Sequence, residues 1–228
     1  MGVQDYYIGK GIVSFKQAPT ETTFRDVGNV PEFEWQPEIE KLDHFSSRSG
    51  VKSKDRSIIV SKAGQTRIVL EEWTIDNLAV AFLGGKNVDA GTTHIDIFNK
   101  SEVTGQLKFV GTNDVGTKFE LLLLSVSFIP GSAINMISDE WGSLELTGEV
   151  SSVAPLAWAA TTAYVVGDIR KNGAFPNTKI YEATVAGTSA GSGGPSTFGS
   201  AIVDGTVTWR YLAVADAAGA AFGNLKNI

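Results

Sequence analysis

The chain has no cysteine and only two histidines among its 228 residues. Without thiols there is no disulfide, no thiolate metal site and no cysteine nucleophile, which suits a protein assembled in a reducing compartment. His44 and His94 stand outside any HExxH or HxH spacing, so a histidine-rich metal site is excluded and each reads as an ordinary polar or half-buried side chain. Long apolar runs are missing as well. The longest, LLLLSVSFI at 121–129, is about half of the ~20 residues that a membrane helix needs. The opening stretch MGVQDYYIGKGIVSF lacks a charged n-region, an apolar core and a small-residue cleavage site. These absences predict a soluble chain made in the cytosol, with no membrane insertion.

Catalytic patterns are equally scarce. No GxSxG, P-loop or GxGxxG context occurs, and GSGG at 191–194 lacks the lysine and helix that a phosphate cradle requires. The carboxylates of EFEWQPEIE and LEEW could in principle form acid/base pairs. Glu32, Glu34, Glu38 and Glu40, however, alternate with Phe33, Trp35 and Ile39, the polar half of a solvated strand. No nucleophile, base and oxyanion donor converge, so the expectation is a non-enzyme without metal or cofactor.

What the chain does have is enough apolar content, 43%, for a real core, and a length that suits one large or two small domains. Its formal charge of −6 speaks against bulk attraction to nucleic acid. Residues 1–154 hold 21 acidic and 14 basic side chains, whereas 155–213 hold 3 and 4 and turn rich in Ala, Gly, Thr and aromatics. The seam SSVAPLA divides the chain into a domain at 1–152 and a small module at 153–213. A weakly patterned tail, VADAAGAAFGNLKNI, follows over 214–228, mobile or docking late.

The first domain reads as mainly β: a β-sandwich or barrel with one packed α-helix, followed by a small all-β C-terminal module. GQLKFVG and TKFELLLLSVSFI flank the turn TNDVG and predict a hairpin, and GSLELTGEV alternates at period two. In EWTIDNLAVAFLGG, Ile75, Leu78, Ala79 and Phe82 share a helical face, Thr74 caps, Trp73 staples onto Leu78, and Gly84 supplies the left-handed exit. The run Phe119–Ile129 is apolar on both faces over half its length. One face would carry Leu122, Leu124, Val126 and Phe128, the other Phe119, Leu121 and Leu123. Either the domain's own core and helix cover it, or Leu121, Leu122, Leu123 and Leu124 form an inter-subunit strand.

Between the strands at either end of EIEKLDHFSSRSGVKSKDRSIIV lies a long, apolar-poor, basic loop. Arg48, Lys52, Lys54, Arg56 and Lys62 against Asp55 give about +4 in an otherwise acidic chain. It lacks the aromatic interleaving and the reading helix of a nucleic-acid site. Its charge suits one half of a contact with the acidic surface of an identical copy, which would order it.

In their order, FRDVGNVPEFEWQPEIEKLDHFSSRSGVKSKD, IVLEEWTIDNLAVAFLG, GQLKFVGTNDVGTKFELLLLSVSFIPG and ISDEWGSLELTGEV resemble the major tail tube proteins of long, non-contractile-tailed bacteriophages, over roughly residues 8–150. The resemblance implies hexameric rings that stack into a hollow tube, each copy giving strands to a continuous inner β-barrel. It further implies a loop, here His44, Arg48, Lys52, Lys54, Asp55 and Arg56, that orders against the next ring. A virion protein assembled in the host cytoplasm would follow. Its partners would be a tape measure protein in the lumen, a tail terminator and baseplate or distal tail proteins, with DNA passing through unheld by an acidic wall.

The module is similar to small domains appended to phage tail proteins and, more distantly, to chitin-binding-type carbohydrate-binding modules. Trp158, Tyr164, Gly167, Asp168, Tyr181, Pro195, Asp204, Gly205 and Trp209 stand at the matching positions. Trp158, Tyr164, Tyr181, Trp209 and Tyr211 are therefore candidates for weak stacking on host glycans. A module of this size without disulfides also needs large aromatics for its core, the favoured role of Trp158 and Trp209. The module would sit on the tube exterior. Two other readings stay open: a glycan-binding protein whose first domain is a scaffold, and a single-ring tail terminator or secretion-tube relative.

Overall fold

The computed structural model describes residues 6–48 and 50–228. In chain order the first part forms β1 (Gly11–Gln17), β2 (Arg25–Asp26), β3 (Glu32–Ser46), β4 (Ser53–Leu70), α1 (Ile75–Ala81), β5 (Gly85–Asp89), β6 (Thr92–Asp96), β7 (Val103–Gly111), β8 (Phe119–Pro130) and β9 (Leu144–Val150). The module holds β10 (Ala163–Tyr164), β11 (Ile169–Asn172), β12 (Lys179–Val185), β13 (Gly187–Thr188), β14 (Ile202–Asp204) and β15 (Val207–Val214), and β16 (Gly223–Asn227) ends the chain. The fold is mainly β with one helix among the described residues.

The large sheet runs β2-β1-β7-β8-β9-β4-β3, every pairing antiparallel, and stays open with β2 and β3 as its edges. Among the described residues no barrel closes, so of the two architectures expected the barrel is not formed within one chain. The β7–β8 hairpin and the alternation of β9 agree with the sequence reading: Leu144, Leu146 and Val150 point into the core.

Thr74 caps α1, accepting from the Asn77 amide at 3.2 Å. The helix ends with Leu83, not Gly84, in the left-handed region (φ 47°). The Leu83 amide donates to Val80 O and the Gly84 amide to Ala79 O, the paired bonds of a Schellman motif. Glycine is needed at 84 because an added Cβ would collide with Ile95. The buried side of α1 is also turned from the expected face, to Asn77, Ala79, Val80 and Ala81, with Ile75 exposed. Asn77 tolerates burial because its amide donates to Val27 O and Glu72 O and its carbonyl accepts from Arg25 Nη1.

β8 differs most from expectation. Its pairing with β7 shifts by one residue between Gly105 and Leu107, a bulge that places the extra residue at Leu124–Ser125. Side-chain alternation inverts there, so Leu123, Val126 and Phe128 share the main core while Leu122 and Leu124 face away from it. That opposite face is covered not by α1 but by the C-terminal half of the same chain. Ile180, Leu212, Ala213 and Ala221 of the C-terminal half pack on Leu122 and Leu124.

The tail is not free. β16 pairs with β8 over Phe119–Leu123, on the edge that β9 leaves open before Val126. Val153 and Ala221 exchange both backbone hydrogen bonds, at 2.8 and 3.0 Å, so the chain leaves for the module and returns at one point. β7 pairs along one edge of β8 and β16 and β9 share the other, while Leu122, Leu123 and Leu124 are buried within this chain and Leu121 is half-buried, so the run expected as an inter-subunit strand is largely engaged within this chain.

Candidate functional site

β3 and β4 pair from Glu32↔Val69 to Ser46↔Ser53, but β9 supports β4 only from Gly64 to Leu70. The ribbon therefore continues past the body of the sheet as a two-stranded arm. Nine residues of β3, 38–46, lie in the unsupported part, about 30 Å at ~3.3 Å per residue. The expected loop is mostly strand: His44, Lys54, Asp55 and Arg56 sit on the paired strands, with Arg48 and Lys52 at the turn, while Ser49 lies outside the described residues. Apolar residues at Leu42, Phe45 and Ile58–Val60, separated by polar ones, suffice for pairing even though they bury little within this chain.

The register slips between Glu40 and Lys41 and again between His44 and Phe45, so Val60 and Asp55 are the extra residues of two bulges. Each bulge adds twist and re-aims the side chains beyond it. Ile39, Leu42, Phe45, Ile58, Ile59 and Val60 are all 46–61% exposed.

The ions of the arm divide into two groups. Lys54 Nζ and Ser57 Oγ both donate to Asp43 Oδ1, at 2.8 and 2.6 Å, and hold the Asp43 carboxyl below its ordinary range, Lys54 most strongly. His44 Nδ1 meets Asp55 Oδ1 at 2.6 Å. Arg48, Lys52 and Arg56 have no ion-pair partner among the described residues. Those three lie in the outer part of the arm; nearer the sheet, Lys41 and Lys62 are likewise exposed and without an ion-pair partner among the described residues.

The module's aromatics serve another purpose. Tyr164, Tyr181 and Trp209 are buried, and Trp158 and Tyr211 pack against them. The indole N–H groups of Trp158 and Trp209 both donate to Asp204 Oδ2, at 2.8 and 3.1 Å, and the Ala190 amide donates to its other oxygen at 2.9 Å. Trp209 fills the core role anticipated for the tryptophans, Trp158 packs half-buried against that core, and Tyr164, Tyr181 and Trp209 have no ring face open to a sugar. Sequence reasoning passed over Phe198, which is 69% exposed and lies edge-on to Tyr211 beside the groove between the module and β16.

It also missed the polar centre of the seam. Lys16 and Glu182 form a buried ion pair, Arg210 Nε donates to Glu182 Oε2 at 2.8 Å, and Arg210 Nη2 reaches Gln106 Oε1 at 3.3 Å. Burial pushes the Lys16 ammonium down from its ordinary value, partly offset by the hydrogen bond and charge of Glu182. No sequence signal could pair residues so far apart.

Among the described residues no three His, Asp or Glu side chains converge as metal ligands, and no helix is long and apolar enough to cross a membrane. Residues 6–96, which span β1 to β6 and hence the arm, match a family described as Protein of unknown function UCP028589. No curated protein matches the chain.

Proposed function

We propose that this chain is the structural subunit of a hollow tail tube of a long, non-contractile-tailed bacteriophage, built from stacked hexameric rings in the host cytoplasm and carried in the virion. The observation that carries this reading is the arm. A two-stranded ribbon with large apolar side chains in water is marginal by itself, and exposed apolar surface of this kind marks an interaction site. Half-exposed as they are, its six large apolar residues would each gain about 1 kcal/mol on burial, enough together to offset much of the roughly 4–15 kcal/mol cost of association.

The open sheet supports the same reading. β3, fifteen residues long, leaves its outer edge unpaired, a template on which a second copy's strand can add. Repeated around a ring, such additions would give a continuous barrel whose lumen passes DNA without binding it specifically. The tape measure protein would occupy that lumen, with terminator and baseplate proteins at the ends. The module, seated on the outward face of β8, would stand on the exterior.

A glycan-binding reading has one observation in its favour, the exposed Phe198 ring at the seam groove; it would rest on that ring and not on the buried aromatics. The test is removal of the arm. Glu40 and Ser61 are direct partners, so an Asn-Gly turn joining them replaces residues 41–60 without changing the register below. The trimmed protein is expected to fold and stay monomeric under conditions where the intact chain sediments as large particles. Equal assembly by both, or by neither, contradicts the reading.

A further inference from the structure

The register places two unlike ends on the large sheet. The arm leaves beyond Gly64↔Val150, whereas Leu70↔Leu144 and Val103↔Phe128 lie at the other end. From that other end issue the connection 71–102, which contains α1, β5 and β6, and the connection 131–143 between β8 and β9. The two touch: a Cβ added at Gly142 would lie 2.9 Å from the Trp73 ring.

This end is strongly acidic. The two connections carry eight carboxylates against two lysines, a net −6, while the arm tip at 44–56 carries four cations against Asp55, a net +3. Asp89, Asp139 and Glu140 have no ion-pair partner among the described residues. The acidic end also exposes large apolar side chains: Ile137 at 98%, Trp141 at 96%, Met136 at 71% and Phe98 at 67%. A tryptophan so exposed lacks the surface that would cover it in this chain.

We infer that this acidic, apolar end is the docking surface for the arm of a second copy of the chain, making the contact head-to-tail and open-ended. Both ends pair exposed apolar groups with uncompensated charge, and the charges are opposite, so like ends repel and unlike ends attract. A contact between two different surfaces of the same molecule does not close on itself along the stacking direction and propagates. This inference rests on the tube reading and adds to it the identity of the receiving surface.

Two charge-reversed proteins test it: an arm variant (R48E/K52E/R56E) and an end variant (D139K/E140K), each checked for native circular dichroism. Each alone is expected to need about tenfold or more protein to assemble. Mixed, they have two working contacts, the end variant's arm on the arm variant's acidic end and the arm variant's reversed arm on the end variant's reversed end. They should therefore co-assemble in alternation at concentrations where neither grows alone, seen by sedimentation. A chain carrying both reversals is expected to regain growth.

If both single variants assemble like the wild type, or if the arm variant fails but the end variant does not, the receiving surface is wrong while the tube reading stands. If the wild-type chain itself never assembles, the tube reading fails and this inference with it.

Discussion

Lys16 of β1 and Glu182 of β12, 166 positions apart, share a hydrogen bond in the seam between the large sheet and the module, with side chains only 7% and 3% exposed. The pair makes the module part of the fold and not a detachable ornament. Breaking a buried pair by removing one partner is costly because the other charge is left uncompensated. Glu182→Ala, which strands Lys16 beside Arg210, is expected to destabilise the protein by about 3–5 kcal/mol in urea unfolding. Lys16→Met should cost less, since Arg210 still holds Glu182. A Glu182→Ala change near zero would mean that the seam is wet or open.

The apolar half of the same seam gives a second prediction. Leu124 is 3% exposed and faces Leu212 and Ala221 across the bulge in β8. Leu124→Ala should cost about 2–5 kcal/mol, as for other buried leucines, and should loosen the module together with the sheet. Hydrogen exchange at the β8 and β16 amides checks the coupling; faster exchange in the module alone would contradict it.

Alkaline pH should loosen the module's core. Burial, with Tyr211 adding to it, pushes the Tyr181 hydroxyl up to about 12 from the ordinary 10. Between those values the unfolded chain loses this proton while the folded chain keeps it. The contribution of Tyr181 is therefore complete below pH 10 and is lost as pH rises towards 12, on the order of 2–3 kcal/mol in all. Tyr181→Phe should flatten this part of the stability–pH curve. An unchanged slope would show that other groups set it.

Much of this architecture was legible in the sequence, and what was not has identifiable causes. Thr74 announced the start of α1, and Leu144, Leu146 and Val150 announced β9, because caps and period-two alternation are local properties. The bulge at Leu124–Ser125 was not legible: one extra residue inverts every later side chain, and nothing in LLLLSVSF marks where it falls. Nor was the cover over Leu122 and Leu124, which comes from residues roughly sixty to a hundred positions later. The arm was misread as a loop because its polar residues resemble loop composition, whereas a ribbon outside any core needs only pairing. Trp209 was weighed correctly as core, with Trp158 half-buried against it, and the acidic, Trp141-bearing end could have been seen as a large apolar residue in a turn-rich segment.

Trp141 offers a direct reporter of the inferred contact. Now 96% exposed, it should move to an apolar setting when an arm docks beside Asp139 and Glu140. Its fluorescence is expected to shift to the blue on assembly, and Trp141→Phe should remove that shift. Added salt, which screens exposed charges beyond about 10 Å at 0.1 M, should slow growth. Assembly with no change at Trp141 would place the contact elsewhere.

Self-assembly through the arm is tested most directly by electron microscopy of the purified chain across a concentration series, with sedimentation of the same samples. Six-fold rings or hollow tubes that lengthen with concentration are the predicted result. A chain that remains a dispersed monomer at every concentration, its arm free in solution, would contradict it.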